Sequence, residues 1–562
     1  MRSPSSESPI RSSLLETLVC SSERIALNES LGDRSDVENY DSQSQQHEDD
    51  GPDPANDRNS RRPRVLVSLQ RWLVSLASGI ILATSIVPLL GLMYSLRNVW
   101  FQDLNDASLF WPVISTIGGF VSAFLAEILP NESRNNSIST VGRKIWDGKQ
   151  KPLNQAFLVF SSFVAIATGA PLGPELILLS WGLVIVTMIS NFEKIFLQTA
   201  RTNPPIVSRR MMMILLGSIG GILLSSPVLA VVLSYEGWII VASQKTMFDA
   251  RVQTNPPTHG RNYNDMAFCI TAATSAYIIA QLFSLDSLLA PEWYPNWDLG
   301  ELRWKSWYFP LSIALGISCG IVGFVFVSFL RCFSYLRVTG CITLQQYSWI
   351  PKWFGVLLFP TLSGSIHGCL CLWNPAMVGI GFSSLGEIIT KKAPFDILHI
   401  LIMGATKMVS LSLCLGFGWI GGPVFPLLFI GACFGIAVSA WIPLALAVPC
   451  CMCAIVGSII PFPLSLIFFL VGSMSLSFPV AGAALIATVV AQTLIEGLNR
   501  ATGLIGSIWN DTHEDHIEES QLESAIDSDS DERVFMYDEL HEEEEDESLV
   551  QAVRAAVYGS FR

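Results

Sequence analysis

The sequence predicts an all-α polytopic membrane protein, assembled as an inverted repeat of tilted and broken helices. Three observations carry that prediction. Half of the 562 residues are hydrophobic, only 15% are charged and the mean hydropathy is +0.45, where a soluble domain carries about 25% charged residues. The apolar residues fall in blocks of roughly 18 to 30, the length that crosses a bilayer. Two blocks, one in each half of the apolar region, open on Gly-Pro helix starts, "LGPELI" and "GGPVFP". Matched short or broken helices in the two halves of a membrane chain mark inverted-repeat transporters.

The ends differ from the middle. The net charge of −14 is concentrated in stretches such as "DSQSQQHEDDGPD" and "DSDSDERVFMYDELHEEEEDESL". These are Ser-, Asp- and Glu-rich without an apolar period, so residues 1–65 and 511–562 read as disordered tails around a transmembrane domain at 66–510. Residues 1–65 hold no apolar core of a secretory signal. Arg58, Arg61, Arg62 and Arg64 cluster before the first span, which predicts a cytoplasmic N-terminal tail, and the C-terminal tail is placed on the same side. Whether the membrane is the plasma membrane or an organelle's is left open. Of the twelve cysteines, eleven lie in or beside the apolar region. Their spacings lack the paired Cys-x-x-Cys and His partners of a zinc site, so they read as small buried hydrophobes.

Along the chain, apolar segments fall at about 66–97, 108–130, 153–169, 175–192, 210–243, 265–290, 306–334, 353–373, 396–415, 425–448, 452–476 and 478–497. Gly-Gly and Ser-Ser-Pro divide the 210–243 block into two helices. The segment "SLDSLLAPEWYPNWDLGELRWKSWYF" carries the Trp and Tyr of an interfacial belt.

In "GAPLGPELILLSWG" a single carboxylate, Glu175, heads an otherwise uncharged apolar run. Proline is tolerated at the first helical position, where its missing N–H costs nothing. That makes Gly173 the cap, Pro174 the first helical residue and Glu175 the second. The unpaired N–H groups of a helix start favour an anion, and inside a membrane Glu175 can supply it. The second start, Gly421-Gly422-Pro423 with Pro426 in the first turn, repeats the design without the acid. Helix N-termini converging from both halves make an anion site.

These motifs resemble those of the CLC family of chloride channels and anion/proton antiporters. "LGPELI" is similar to the family's G-[KR]-E-G-P motif at Gly173 and Glu175, with Pro174 in place of the basic residue. "GGPVFP" is similar to its G-x-F-x-P motif, with Pro426 aligned and Phe425 one place late. "NPAMVGIGFSSL" resembles the family segment that ends in a Gly-x-Gly-aromatic turn, and Lys407 matches a basic residue in the helix that follows. "SSPVLAVVLSYEG" is similar to the family's N-A-P-x-x-G-x-x-F-x-x-E-E stretch, with Glu236 at the first acidic position and Gly237 at the second. The resemblance covers about residues 66–510 and does not extend to the family's paired CBS domains.

The resemblance implies a homodimer in membrane lipid with one pore per subunit and Glu175 as a gate. It implies anions held near Asn136, Ser137 and Ile138, near Gly173 and Pro174, and near Pro423, Val424 and Phe425. Glu236 is read as a proton-handling or a structural acid. Lys407 is read as stabilising a buried carboxylate or helix end, or as raising the positive potential of the pore. Gly237, where the antiporters carry their inner glutamate, favours a voltage- or pH-gated chloride channel. A chloride or nitrate antiporter coupled to protons is the alternative, and a membrane receptor or scaffold using the acidic tails is a third reading. No cofactor beyond the transported ion, and no nucleic-acid partner, is expected. The sequence holds no His-Glu-x-x-His and no nucleophile–base pair near the spans, so no enzyme is predicted.

Overall fold

Each half of the protein opens with a 38-residue helix, α1 (Arg64–Phe101) and α8 (Tyr308–Gln345). In this computed structural model the described residues are 64–101, 110–127, 152–197, 209–224, 226–248, 262–283, 297, 299–300, 302–347, 351–391, 396–460 and 462–502. After α1 come α2 (Trp111–Glu127), α3 (Pro152–Ala167), α4 (Glu175–Leu197), α5 (Arg209–Leu223), α6 (Pro227–Phe248) and α7 (Asn262–Leu282). After α8 come α9 (Lys352–Trp373), α10 (Phe382–Lys391), α11 (Ile397–Gly416), α12 (Val424–Val438), α13 (Leu444–Ile459), α14 (Pro463–Met474) and α15 (Phe478–Thr502). The secondary structure of the described residues is helical apart from one two-residue bridge.

The packing of the first half recurs in the second. α2 lies on α3 as α9 lies on α11, and α3 on α4 as α11 on α12. α4 meets α5 as α12 meets α13, and α5 packs on α6 and α7 as α13 packs on α14 and α15. The short helix α10 has no counterpart among the described residues. The halves are joined most closely where α2 crosses α9. There Gly364 and Gly368 let the backbones meet, because a Cβ on either would clash with the Ser115 or Pro112 backbone. Small residues serve this purpose in membranes, where apolar burial between helices gains nothing over lipid. Gly431 and Gly435 of α12 do the same against α13, with a Cβ at each 2.6 Å from Met452 Cα and Val448 Cα.

Five described helices are long and apolar enough to cross a membrane, within α1, α8, α9, α11 and α15. The expected break at Ser225–Pro227 is present between α5 and α6. The two segments expected at 425–448 and 452–476 are instead three helices, broken at 439–443 and 460–462. Proline explains both breaks: Pro443 caps α13, and Pro463 is the first residue of α14. All eleven cysteines of the described region are free, and eight are buried. Of the expected tails, residues 1–63 and 511–562 lie outside the described residues, while Arg64 and Val65 already belong to α1.

Candidate functional site

The site is built where α3 and α11 end and α4 and α12 begin. α3 terminates with Gly169 at φ +86°, its N–H donating to Ile166 O at 3.0 Å, while Ala170 N–H donates to Ala165 O at 3.1 Å. α11 terminates in the same way: Gly418 at φ +100°, Gly418 N–H to Leu415 O at 3.1 Å and Trp419 N–H to Cys414 O at 3.0 Å. This is the left-handed cap that glycine supplies and other residues resist. From each cap glycine the chain runs five residues to a proline, Pro174 or Pro423. The carbonyl of that proline accepts the first helical bond, from Leu178 N–H or Leu427 N–H, each at 3.0 Å.

Between cap and proline, the two loops pair with each other. Gly173 N–H donates to Gly422 O at 2.7 Å and Gly422 N–H to Gly173 O at 3.0 Å, an antiparallel bridge. Two equivalent glycines from opposite halves thus exchange both hydrogen bonds, as a two-fold relation between inverted repeats requires. The bridge sets the starts of α4 and α12 side by side. α4 begins one residue later than expected, at Glu175 after Pro174, and α12 begins in the same way at Val424, with Pro423 as its cap.

Glu175 heads α4, yet its carboxylate serves the other helix. Phe425 N–H, the second of α12, donates to Glu175 Oε1 at 3.0 Å. The carboxylate sits on the unpaired N–H groups and positive end of a helix start, where an anion is favoured. Oε2 is shielded from solvent and has no hydrogen-bond partner among the described residues. The two bridge glycines make room: a Cβ on Gly173 would lie 2.5 Å from Glu175 Cδ, and one on Gly422 would lie 3.0 Å from Glu175 Cβ.

Gly173, Pro174, Pro423, Val424 and Phe425 are therefore gathered around Glu175. Gly173 spends its N–H on the bridge, and the two prolines have none. Asn136, Ser137 and Ile138 lie outside the described residues.

Lys407 of α11 is fully buried, and its ammonium donates to three carbonyls, Ala376 O at 3.1 Å, Met377 O at 2.9 Å and Gly379 O at 2.5 Å. The Phe429 ring of α12 lies 5.0 Å from Nζ. A buried charge must be compensated, and here carbonyl dipoles do so. The lysine holds the turn between α9 and α10, in which Gly379 and Gly381 take positive φ. Gly379 N–H in turn donates to Gly169 O at 3.0 Å, so this turn is docked on the α3 cap.

Glu236 of α6 lies away from this centre, at the start of α14. It accepts from Leu464 N–H at 2.9 Å, Ser465 N–H at 2.8 Å and the Ser465 hydroxyl at 2.5 Å. A Cβ at the neighbouring Gly237 would face Leu216 and Phe462 at 3.1 and 3.7 Å, an apolar setting. Among the described residues no group of three or more His, Cys, Asp or Glu could hold a metal ion.

Sequence reasoning missed the cap glycines, the bridge and His367, whose ring lies against Gly169 O. The caps had a signal: "TGAPLGPE" and "FGWIGGPV" set Gly, Gly and Pro at the same three places. His367, lone on an apolar face, had none.

Comparison with known proteins shows a family and a fold. The family profile described as "Voltage gated chloride channel" matches residues 117–493. The chloride channel protein CLC-e of Arabidopsis thaliana is 26% identical over 394 residues, 66% of this chain and 49% of the relative. The chain thus spans about half the length of that relative. The H(+)/Cl(-) exchange transporter ClcA of Vibrio parahaemolyticus is 32% identical over 84 residues, 15% of this chain and 18% of the relative. A slow cyanobacterial Cl−/H+ antiporter superposes with a TM-score of 0.58 at 17% identity, covering 76% of this chain and 94% of the other. A CLC-type fluoride/proton antiporter does so with 0.54 at 17%, covering 76% and 95%. At such identities the likeness is one of fold. With two thirds of its length matched by the profile, the chain belongs to the voltage-gated chloride channel family.

Proposed function

We propose that the protein conducts inorganic anions, chloride first among them, across a membrane by a path that Glu175 opens and shuts. The observation that carries this reading is the Glu175 carboxylate on the Phe425 N–H, a tethered anion at a helix start of the opposite repeat. Ionised, it takes the place of a mobile anion at that start. Protonated, or displaced by chloride, it vacates the main-chain donors of Val424 and Phe425. Main-chain dipoles suit a conducting site because the ion must leave as readily as it binds. Asn136, Ser137 and Ile138 are proposed to line the same path. The protein is proposed to work as a homodimer with one path per subunit, with both tails in the cytoplasm and no resident cofactor.

Passive conduction is favoured over proton coupling by the surroundings of Glu236 and Gly237. Glu236 has its oxygens engaged at the α14 start, and Gly237 offers no second acid. The test is the purified protein in liposomes under a chloride gradient, with a pH probe inside. The channel reading expects chloride flux without uphill proton movement. Uphill proton movement driven by chloride would establish the antiporter instead, and no chloride flux at all would refute both.

A further inference from the structure

His367 of α9 is fully buried, and the gating scheme above leaves it without a role. Its Nε2 lies 2.7 Å from Gly169 O and its Nδ1 2.7 Å from Ser410 Oγ on α11. A carbonyl oxygen only accepts, so Nε2 carries the proton and Nδ1 accepts from the Ser410 hydroxyl. The ring therefore ties three elements together: α9, α11 and the cap glycine of α3.

That glycine is a pivot. Gly169 turns the chain out of α3 with a positive φ, and six residues later stands Glu175. Its carbonyl accepts from two directions, His367 Nε2 and Gly379 N–H, and Gly379 is itself held by Lys407. The equivalent pivot of the other repeat, Gly418, is built differently. A Cβ there would meet the Arg337 guanidinium, and among the described residues no histidine reaches its carbonyl. The imidazole clamp thus comes from the second half and acts on the pivot of the half that carries the acid.

We propose that His367 is a positioning residue for the gate: by fixing Gly169, it sets the register of the loop 169–174 and so how firmly Glu175 occupies the α12 start. The proposal rests on the reading of Glu175 as the gate. With the clamp removed, the loop keeps its bridge to Gly422 but loses its anchor at the pivot, and the carboxylate leaves Phe425 more readily. A single net hydrogen bond changes such an equilibrium by about fivefold.

The test is chloride efflux at neutral pH from liposomes holding the full-length protein. His367→Phe removes the bonds to Gly169 and Ser410 along with the Cys371 Sγ contact to the ring, whereas His367→Gln keeps a donor near the Nε2 position. The expected result is a rise of about fivefold for the Phe variant, near wild-type efflux for Gln, and no added effect of His367→Phe on top of Glu175→Gln. Should the Phe variant not elute as a single species in detergent, Ser410→Ala removes only the Nδ1 partner and is expected to give a smaller rise of the same sign. A Glu175→Gln rise with neither His367 nor Ser410 variants altering efflux would overturn the positioning role alone. So would an effect of His367→Phe that is equal in both backgrounds, which marks a scaffold residue. A Glu175→Gln protein indistinguishable from wild type would refute the gate, and this proposal with it.

Discussion

Glu175 and the residues touching it divide the work between side chain and backbone. The acid supplies the charge, while Gly173 and Gly422 supply space that only a missing Cβ can leave. Gly422→Ala would place a methyl group against the Glu175 carboxylate and drive it off the Phe425 N–H. A lost hydrogen bond to a charged group is worth about 1.5–3 kcal/mol. The expected outcome is chloride flux at neutral pH raised by roughly tenfold or more, read in liposomes, with the protein still folded because the bridge uses backbone atoms. Lys407 makes a different prediction. Its removal as Lys407→Met would leave the carbonyls of Ala376, Met377 and Gly379 without their donor. A loss of about 3 kcal/mol is expected, seen as a lowered thermal unfolding midpoint in detergent, because the turn docked on Gly169 would loosen.

The same contrast appears among the elements. The two Gly-Pro starts were legible because proline and glycine act through the local backbone, and the acid stood out in an apolar run. Pairing of the two starts was not legible, since the bridge joins glycines 249 positions apart through main-chain atoms that every residue possesses. The prolines behind the breaks at 439–443 and 460–462 were visible too, yet the continuous apolar composition hid them. Lys407 was visible as a charge in an apolar helix, but its partners are carbonyls, which leave no mark on side-chain composition. Glu236 shows how a carboxylate can tie two elements: it joins α6 to the start of α14 through two N–H groups and a hydroxyl. Glu236→Ala should cost about 2–3 kcal/mol, again read as a lowered unfolding midpoint, and Glu236→Gln less.

For the whole molecule, the repeated helix order and the matched caps of α3 and α11 give one arrangement with two functional ends of unequal chemistry. One repeat contributes the acid and the other the N–H group that receives it. Fold class was readable from hydropathy and punctuation, because a bilayer demands long apolar helices and an inverted repeat leaves matched breaks. The gate assignment depends on both halves meeting, and so on contacts that no single stretch of sequence contains. Its most direct test is the pH dependence of chloride flux through the wild type and Glu175→Gln, each purified and reconstituted in liposomes. For the wild type, flux should rise as pH falls, since protonation removes the tethered charge from the α12 start. Glu175→Gln should conduct at every pH with little change, and a Gln variant that keeps the wild-type pH response would contradict the gate.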